Sequence, residues 1–141
     1  YRISPFGSQK IRAVKKEQKI YLWDWGQVEE EGFRFENMVA GHLLKYCHYH
    51  EDVHGERMEL RYIRDTDKIE VDFVVLKNEK PLFAVEVKLK GKNLSPHIPY
   101  FQQRLSIPIY YQVYLEGEDR IISDEMKIVS LDSLSQLERL L

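Results

Sequence analysis

Three strand-like runs follow one another between residues 58 and 89, and they constrain the fold more than any other feature of the chain. Residues 58–64 alternate polar and apolar side chains, residues 69–76 are β-branched and aromatic, and residues 82–89 have a similar character. Only short polar turns separate the runs, which is the pattern of consecutive hairpins. The sequence therefore predicts a three-stranded antiparallel meander.

An amphipathic helix is predicted before the meander. Between residues 33 and about 49 the apolar side chains recur at three-to-four-residue spacing and form one stripe. Three glutamates at 29–31 precede it, and acids suit the amino end of a helix dipole. Glu36 lies on the stripe, so we expect its carboxylate to point toward the core or a cleft. The apolar members of the stripe are Val39, Ala40, Leu43, Leu44 and Cys47.

Outside this helix and the meander, the sequence predicts shorter helices and strands. Residues 20–25 alternate like a short strand, and residues 96–105 predict a second helix with Pro96 in its first turn. Residues 109–115 predict a further strand and residues 127–129 an edge strand. Leucines at helical spacing predict a terminal helix over residues 131–141.

Length and composition indicate one globular domain. The chain has 141 residues, enough to bury a core without disulfides or zinc. Residues 1–19 are polar and basic and predict a linker or entering arm, so the domain spans 20–141. The chain starts at Tyr1 rather than Met, and we expect it to be part of a longer protein.

The net charge and the number of cysteines exclude several classes of protein and of metal site. The formal net charge of -2 excludes a strongly basic nucleic-acid binder. Cys47 is the single cysteine, which excludes an internal disulfide or a cysteine-rich zinc site and favours a reducing, cytoplasmic location. No apolar run approaches the roughly 18 residues of a membrane span, so no membrane partner is expected.

Two carboxylates lie inside predicted strands, where acids are disfavoured. Asp72 belongs to the second run and Glu86 to the third. Glu70 shares a strand face with Asp72, and Lys88 shares one with Glu86, because each pair is two residues apart. If the intervening turn is an odd-length loop centred on Glu79, Asp72 lies directly across from Glu86, with Cβ atoms about 5 Å apart.

Carboxylates this close repel one another unless a cation neutralises them. Mg²⁺ or Mn²⁺ fits oxygen ligands of this kind. Glu36 would be a third carboxylate near the metal, and Lys88 could orient or deprotonate a water, or counter the charge of a scissile phosphate. The combination predicts metal-assisted phosphodiester hydrolysis.

The spacing of Asp72, Glu86 and Lys88 resembles that of the PD-(D/E)XK nuclease superfamily. Four segments more closely resemble the carboxy-terminal domain of unknown function that follows the ATPase module in a family of prokaryotic AAA-type ATPases. These are KIYLWD at 19–24, GFRFEN at 32–37, EVDFV at 70–74 and AVEVK at 84–88. The resemblance covers roughly residues 5–115.

The resemblance implies an α/β, restriction-endonuclease-like core of a helix, three antiparallel strands, a helix and a strand, here with a carboxy-terminal helix. It implies metal ligands Glu36, Asp72 and Glu86, catalytic residues Asp72, Glu86 and Lys88, and a supporting glutamine that is either Gln102 or Gln103. DNA and an ATPase module of the same polypeptide are the implied partners.

The sequence departs from these patterns at two points. Val71 stands where the superfamily has its proline. None of the seven glycines begins a GxxxxGK[ST] phosphate loop, so we expect no nucleotide site in this chain.

Several other residues admit simpler interpretations. Glu70 could support the site, although a solvated acid is the simpler interpretation of its position at a strand start. The histidines at 42, 48, 50 and 54 fit no zinc-ligand spacing, and we interpret His97 as a surface residue. Core or sheet-surface packing is expected for the aromatic residues, rather than base stacking. These are Trp23, Trp25, Tyr110, Tyr111 and Tyr114.

The charges are unevenly distributed. Residues 87–115 contain no acid, while Lys88, Lys90, Lys92 and Arg104 supply four positive charges. We expect Lys90, Lys92 and Arg104 to contact a phosphate backbone beside the acidic pocket.

Two hypotheses follow. The first is a Mg²⁺- or Mn²⁺-dependent nuclease-like domain acting on DNA. The second is a catalytically inactive module with the same fold that serves DNA binding, regulation or protein interaction for the ATPase.

Overall fold

The computed structural model describes residues 1–7, 17–90, 93–115 and 118–130. Their elements, in chain order, are β1 (Arg2–Ile3), β2 (Lys19–Ile20), a 3-10 turn (Trp25–Gln27), α1 (Glu31–His54), β3 (Met58–Arg64), β4 (Glu70–Lys77), β5 (Lys80–Lys88), α2 (His97–Gln102), β6 (Tyr110–Tyr114), β7 (Arg120–Ser123) and β8 (Met126–Ser130). The fold is mixed α/β, and the predicted order of helix, three strands, helix and strand is present.

Six of the strands form one mixed sheet with the order β3-β4-β5-β6-β8-β7. The predicted antiparallel meander is confirmed as β3, β4 and β5. β6 pairs in parallel with both β5 and β8, whereas β7 pairs antiparallel with β8. A parallel neighbour needs a crossover connection, and the chain makes it between β5 and β6 through α2.

The two helices cover opposite faces of the sheet. Strand residues alternate between two buried clusters, as the two-residue period of a strand requires. One cluster includes Phe73, Val85 and Tyr111 together with Phe35, Val39, Leu43 and Cys47 of α1. The other includes Val74, Ala84 and Tyr110 together with Ile98 and Phe101 of α2. The interpretation of Cys47 as a buried side chain is confirmed, and burial raises the pKa of its thiol to about 12.

The turn between β4 and β5 differs from the predicted odd-length loop. Lys77 pairs with Lys80 across a two-residue turn, and its residues Asn78 and Glu79 have φ angles of 50° and 67°. Two positive φ angles are typical of the turn that matches the twist of a hairpin. An irregularity between Val75 and Leu76 then shifts the register by one residue. The expected alignment of Asp72 with Glu86 therefore arises from a bulge rather than from the loop.

Boundaries of predicted elements are wrong at several points, and α2, predicted over 96–105, spans His97–Gln102. Residues 20–25 do not form a strand, because β2 ends at Ile20 and Asp24 caps the 3-10 turn by accepting a hydrogen bond from the Gly26 amide. α1 continues beyond residue 49 to His54 and ends at Gly55, whose φ of 66° is the left-handed conformation that glycine adopts easily. The segment with His48, His50 and His54 is therefore helical.

The predicted strand at 127–129 is present within β8, but it is not an edge strand. β8 lies between β6 and β7, and the sequence did not predict β7. The predicted helix at 131–141 lies outside the described residues.

The amino-terminal segment contacts the domain. Residues 1–19 were predicted as a linker or entering arm, yet β1 pairs with β2, and Ile3 is only 2% exposed. The backbone amide of Phe6 donates to the carbonyl of Tyr62 in β3 at 2.7 Å. Within the described part of the chain, no helix has the length and apolar character needed to cross a membrane.

Candidate functional site

Asp72 and Glu86 lie beside each other at the end of the β4-β5 pairing. Phe73 and Val85 are the last paired residues, so Asp72 and Glu86 are each one position further along. Asp72 Oδ2 accepts a hydrogen bond of 2.8 Å from the backbone amide of Val87. The carboxylate of Asp72 thus binds to the strand that carries Glu86.

The surroundings of Asp72 oppose its ionisation. Burial, followed by the charges of Glu86 and Glu36, raises the pKa of Asp72 well above its usual value, against the opposing influence of Lys19. Glu86 and Glu36 therefore both lie within electrostatic reach of Asp72. A strongly perturbed carboxyl group of this kind is typical of functional sites, though structural ion-pair networks also produce it.

Glu86 is almost completely buried, with 2% of its surface exposed. Its Oε1 accepts hydrogen bonds from Lys88 Nζ at 2.8 Å and Ser95 Oγ at 3.2 Å, and His97 Nδ1 lies at 3.7 Å. Its Oε2 is buried without a hydrogen-bond partner in the described chain. A buried carboxylate oxygen with no donor is costly and marks a position for a cation or a water. His97, predicted as a surface residue, contacts the site.

Lys88 is a protonated donor in this arrangement. Burial by itself lowers the pKa of Lys88, but its hydrogen bond to Glu86 and the charges of Glu86 and Asp72 outweigh that effect and raise it. The ammonium group can therefore counter negative charge, whereas an unprotonated base is disfavoured.

Glu36 projects from α1 toward the site, as its place on the helix stripe predicted. The Tyr21 hydroxyl donates to Glu36 Oε1 at 2.6 Å, and Lys19 Nζ lies 3.3 Å from the same oxygen. Burial and the charge of Glu36 raise the pKa of Tyr21, so its hydroxyl stays protonated. Both partners come from the segment around β2.

Lys19 joins three carboxylates from two elements, α1 and β4. Its ammonium contacts Glu36 of α1 and Glu70 of β4, and lies 3.9 Å from Asp72 Oδ1. Burial alone lowers the pKa of Lys19, but these carboxylates raise it overall. We call Glu36, Glu70, Asp72 and Glu86 the carboxylate cluster. Lys19 is the cation that lies among the first three of these carboxylates.

Glu70 is not the solvated acid that its position predicted. It bonds to Lys19 and to the Arg64 guanidinium, and only 18% of its side chain is exposed. The reason is its register, because Arg64 lies opposite Glu70 at the end of the β3-β4 pairing. An opposite-charge pair across two strands is favourable.

Neither predicted supporting glutamine contacts the carboxylates of the cluster among the described hydrogen bonds. Gln102 Nε2 donates to Glu125 Oε2 at 2.6 Å, and Gln103 is exposed. Gln112 of β6 is instead completely buried and pairs with Glu86 in the sheet. Its Oε1 accepts from the Ser95 amide at 2.6 Å, and its Nε2 donates to the Asn93 carbonyl. Gln112 therefore positions the segment whose Ser95 binds Glu86.

The structure describes two of the three predicted phosphate-binding residues, Lys90 and Arg104. Lys90 is exposed, and Lys92 lies outside the described residues. The Arg104 guanidinium lies 3.7 Å from the ring centroid of Tyr100 and donates to its carbonyl. Arg104 is thereby anchored on α2.

Sequence reasoning missed Ser95 and Gln112 and gave Lys19 no role. A glutamine inside the apolar run of residues 110–114 was a usable signal, because an amide in a central strand needs buried partners. Lys19 and Ser95 carry no comparable local signal.

A cavity of about 380 Å³ opens beside the Lys19 side of the cluster. Its lining combines charged residues with apolar ones, including Lys19, Glu36, Arg64, Glu70, Leu22 and Phe33. Among the residues with described positions, no three His, Cys, Asp or Glu side chains are grouped as metal ligands.

Comparison with protein families gave one match. The sequence profile described as a domain of unknown function (DUF4143) matches residues 31–134. The matched region contains α1 and all six strands of the main sheet, and therefore Glu36, Asp72, Glu86 and Lys88. Neither the curated proteins nor the solved structures gave a match.

Proposed function

Since the chain belongs to the DUF4143 family of domains of unknown function, we propose its function from the site itself: a metal-dependent, nuclease-like domain that hydrolyses DNA phosphodiesters. The observation that carries this proposal is the buried Glu86, with one oxygen unpartnered, beside protonated Lys88 and electrostatically linked to Asp72. The order of a helix, three antiparallel strands, a helix and a parallel strand supports a restriction-endonuclease-like core.

Asp72 and Glu86 fit a divalent cation better than Glu36 does. Mg²⁺ is commonly held by one or two carboxylates with water and substrate oxygens completing its shell. The free oxygen of Glu86 and the adjacent Asp72 suit that role. Glu36 is already bound by Tyr21 and Lys19, so we assign it to holding Lys19 rather than to the metal.

In the proposed reaction, the metal and the side chains of the site have separate roles. A bound Mg²⁺ or Mn²⁺ would supply Lewis-acid activation of the phosphoryl oxygen and of a water. Lys88 stabilises negative charge that develops on the phosphate, because its ammonium is held next to Glu86. Ser95 and Gln112 keep Glu86 and its neighbouring segment in place.

Metal binding is the first test of this proposal. Titration of Mn²⁺ into the protein, followed calorimetrically, is expected to show binding that Asp72→Asn and Glu86→Gln each weaken at least tenfold. Asp52→Asn, a change of an exposed acid on α1, is the matched control and is expected to bind as the unaltered protein does.

Cleavage is the second test. With Mn²⁺ present, we expect cleavage of linear, branched or single-stranded DNA, and its loss in Asp72→Asn and Lys88→Met. Absence of cleavage on all three substrates together with absence of Mn²⁺ binding would contradict the proposal.

A second candidate is favoured by the charge balance of the cluster. Lys19, Arg64 and Lys88 already neutralise Glu36, Glu70 and Glu86 without a metal. Such a site suits a catalytically inactive module for DNA binding, regulation or protein interaction. This candidate predicts that Asp72→Ala and Lys88→Ala leave the function of the longer protein intact, whereas the nuclease proposal predicts its loss.

The setting of the domain is also a proposal. The resemblance of four segments to the carboxy-terminal domain of AAA-type ATPases supports an ATPase module on the same polypeptide and a cytoplasmic location. Mass spectrometry of the protein from its source cells would test the first point by showing whether a phosphate-loop sequence precedes this domain.

A further inference from the structure

Both tryptophans of the chain lie on the surface, not in the core or on the sheet as predicted. Trp23 is 72% exposed and Trp25 is 43% exposed. They belong to the segment between β2 and α1, where Asp24 caps the 3-10 turn. Large exposed aromatic side chains that lie together are uncommon on a monomer and indicate a binding surface.

These tryptophans border a concave surface of about 370 Å³ on the outer side of α1. We call it the indole surface, and its polar and aromatic lining includes Tyr1, Trp23, Trp25, His42, Lys45 and His48. No acid is among the residues that line it in the described chain, although the protein contains 23 acids. Its charge therefore suits an anionic ligand with flat apolar groups.

The acid between the two tryptophans is hydrogen-bonded within its own turn. Asp24 lies between the tryptophans, and its carboxylate accepts hydrogen bonds from the Gly26 amide at 3.2 Å and Gln27 Nε2 at 3.0 Å. Lys45 is exposed, and burial together with the Lys45 charge lowers the pKa of His42. Among the residues that line this surface in the described chain, Lys45 thus supplies a formal positive charge and no side chain supplies a negative one.

We propose that the indole surface binds single-stranded nucleic acid, with bases stacked on Trp23 and Trp25 and the backbone phosphates near Lys45 and His48. Exposed aromatic rings beside cationic side chains are the means by which proteins hold unpaired strands. A duplex offers no free base faces to the indoles, so it binds only through charge. This inference takes only its class of ligand, nucleic acid, from the proposed function.

The indole surface is linked to the carboxylate cluster by aromatic contacts. The ring centroids of Trp23 and Tyr1 are 4.7 Å apart, and those of Tyr1 and Tyr21 are 5.9 Å apart. The Tyr21 hydroxyl in turn donates to Glu36. The indole surface is therefore connected to Glu36 through two aromatic contacts and one hydrogen bond.

Intrinsic fluorescence tests this inference directly, because the only tryptophans of the chain are Trp23 and Trp25. In buffer with EDTA, a twelve-nucleotide thymidine oligomer is expected to quench the emission and to bind at low salt. An abasic oligomer of equal length and a blunt duplex are expected to quench little. Anisotropy of a labelled oligomer measures the affinity in variants that lose a tryptophan.

Substitutions separate stacking from charge. Trp23→Leu is expected to weaken oligomer binding roughly tenfold, through the loss of one stacked base. Lys45→Gln is expected to weaken it and to reduce the salt dependence by about 0.7 in the log–log slope. Ile121→Ala and Lys80→Gln, at exposed positions of β7 and β5, are the matched controls and are expected to leave binding unchanged.

Three results would overturn the inference. They are unchanged affinity in Trp23→Leu, equal quenching by the abasic oligomer, and self-association in sedimentation equilibrium that Trp23→Leu abolishes while the oligomer does not quench. Asp72→Asn separates this inference from the proposed nuclease function. If the inference is right, that variant still binds the oligomer in EDTA, whatever happens to its Mn²⁺ binding.

Discussion

Burial and two neighbouring carboxylates disfavour the charged form of Asp72. Because its pKa is higher in the folded state than in the unfolded chain, the folded state holds the proton more tightly. The resulting destabilisation is absent below the usual carboxyl pKa of 3.8 and increases as the pH rises toward the folded-state value. At neutral pH the metal-free protein therefore carries an electrostatic cost at this residue.

Asp72→Asn is expected to stabilise the metal-free protein at pH 7 by on the order of 1 kcal/mol. The amide keeps an acceptor for the Val87 backbone N–H and removes the buried charge. The gain is expected to disappear by about pH 4. Urea unfolding in EDTA across this pH range measures it, with Asp52→Asn as the control. Clear destabilisation at pH 7 would contradict the account.

Lys19 has the converse role, because it compensates the carboxylates of α1 and β4. Lys19→Met is expected to lower the free energy of unfolding by about 3 kcal/mol, since it leaves half-buried carboxylates without their cation. Lys80→Met, at an exposed position, is expected to change little. Urea unfolding of both variants at pH 7 measures the difference. Equal stability of the two would show that Lys19 is dispensable to the cluster.

At the scale of elements, the β4-β5 register that aligns the site depends on a bulge, and the β3-β4 hairpin depends on its turn. In the β3-β4 turn, Asp65 Oδ1 accepts hydrogen bonds from the amides of Asp67 and Ile69, and Tyr100 of α2 donates to Asp65 Oδ2. Lys68 adopts a φ of 63° there, which is unfavourable for a residue with a Cβ. The hydrogen bonds of Asp65 therefore fix the start of β4, and the same turn holds Lys68 in a strained conformation.

Lys68→Gly is expected to stabilise the protein by about 0.5–1 kcal/mol, because glycine adopts positive φ without strain. Asp67→Gly is the matched control, since the neighbouring residue has no positive φ and a glycine there only adds freedom to the unfolded chain. Thermal unfolding should rank Lys68→Gly above the unaltered protein and Asp67→Gly below it. The reverse order would refute strain at Lys68.

For the whole molecule, the amino-terminal segment is part of the packed structure. Ile3 is 2% exposed and belongs to the cluster between α1 and the sheet. Pro5, two residues further along, forms an isolated bridge with Tyr62 of β3. The same segment brings Tyr1 to the indole surface, and its pairing with β2 supports the strand that carries Lys19.

Ile3→Ala is expected to lower the free energy of unfolding by about 3 kcal/mol, as for other fully buried aliphatic side chains. Arg2→Ala on the same strand removes an exposed side chain and is expected to cost little. Urea denaturation compares the two variants. A loss below about 0.5 kcal/mol for Ile3→Ala would restore the interpretation of this segment as a loosely attached arm.

The sequence predicted those features that depend on local periodicity. The meander and α1 each leave a repeating pattern of apolar residues within their own length, and the strand predicted at 109–115 is a mostly apolar run. The second helix was indicated by Pro96 at its start. Boundaries were less accurate where one hydrogen bond or one glycine decides them, as at Asp24 and Gly55. β7 was missed because its residues are mostly exposed and carry no alternating pattern.

By itself, the sequence determined that Asp72, Glu86 and Lys88 belong to adjacent strands and that Glu36 faces inward, since each follows from the period of a single element. Only the tertiary structure decided which distant groups meet these carboxylates. Lys19 and Glu70 are 51 positions apart, and Gln112 meets Glu86 through a parallel pairing. Such contacts depend on how whole elements pack around the shared core. The spacing of apolar residues within one element does not specify which residue of another element will contact it.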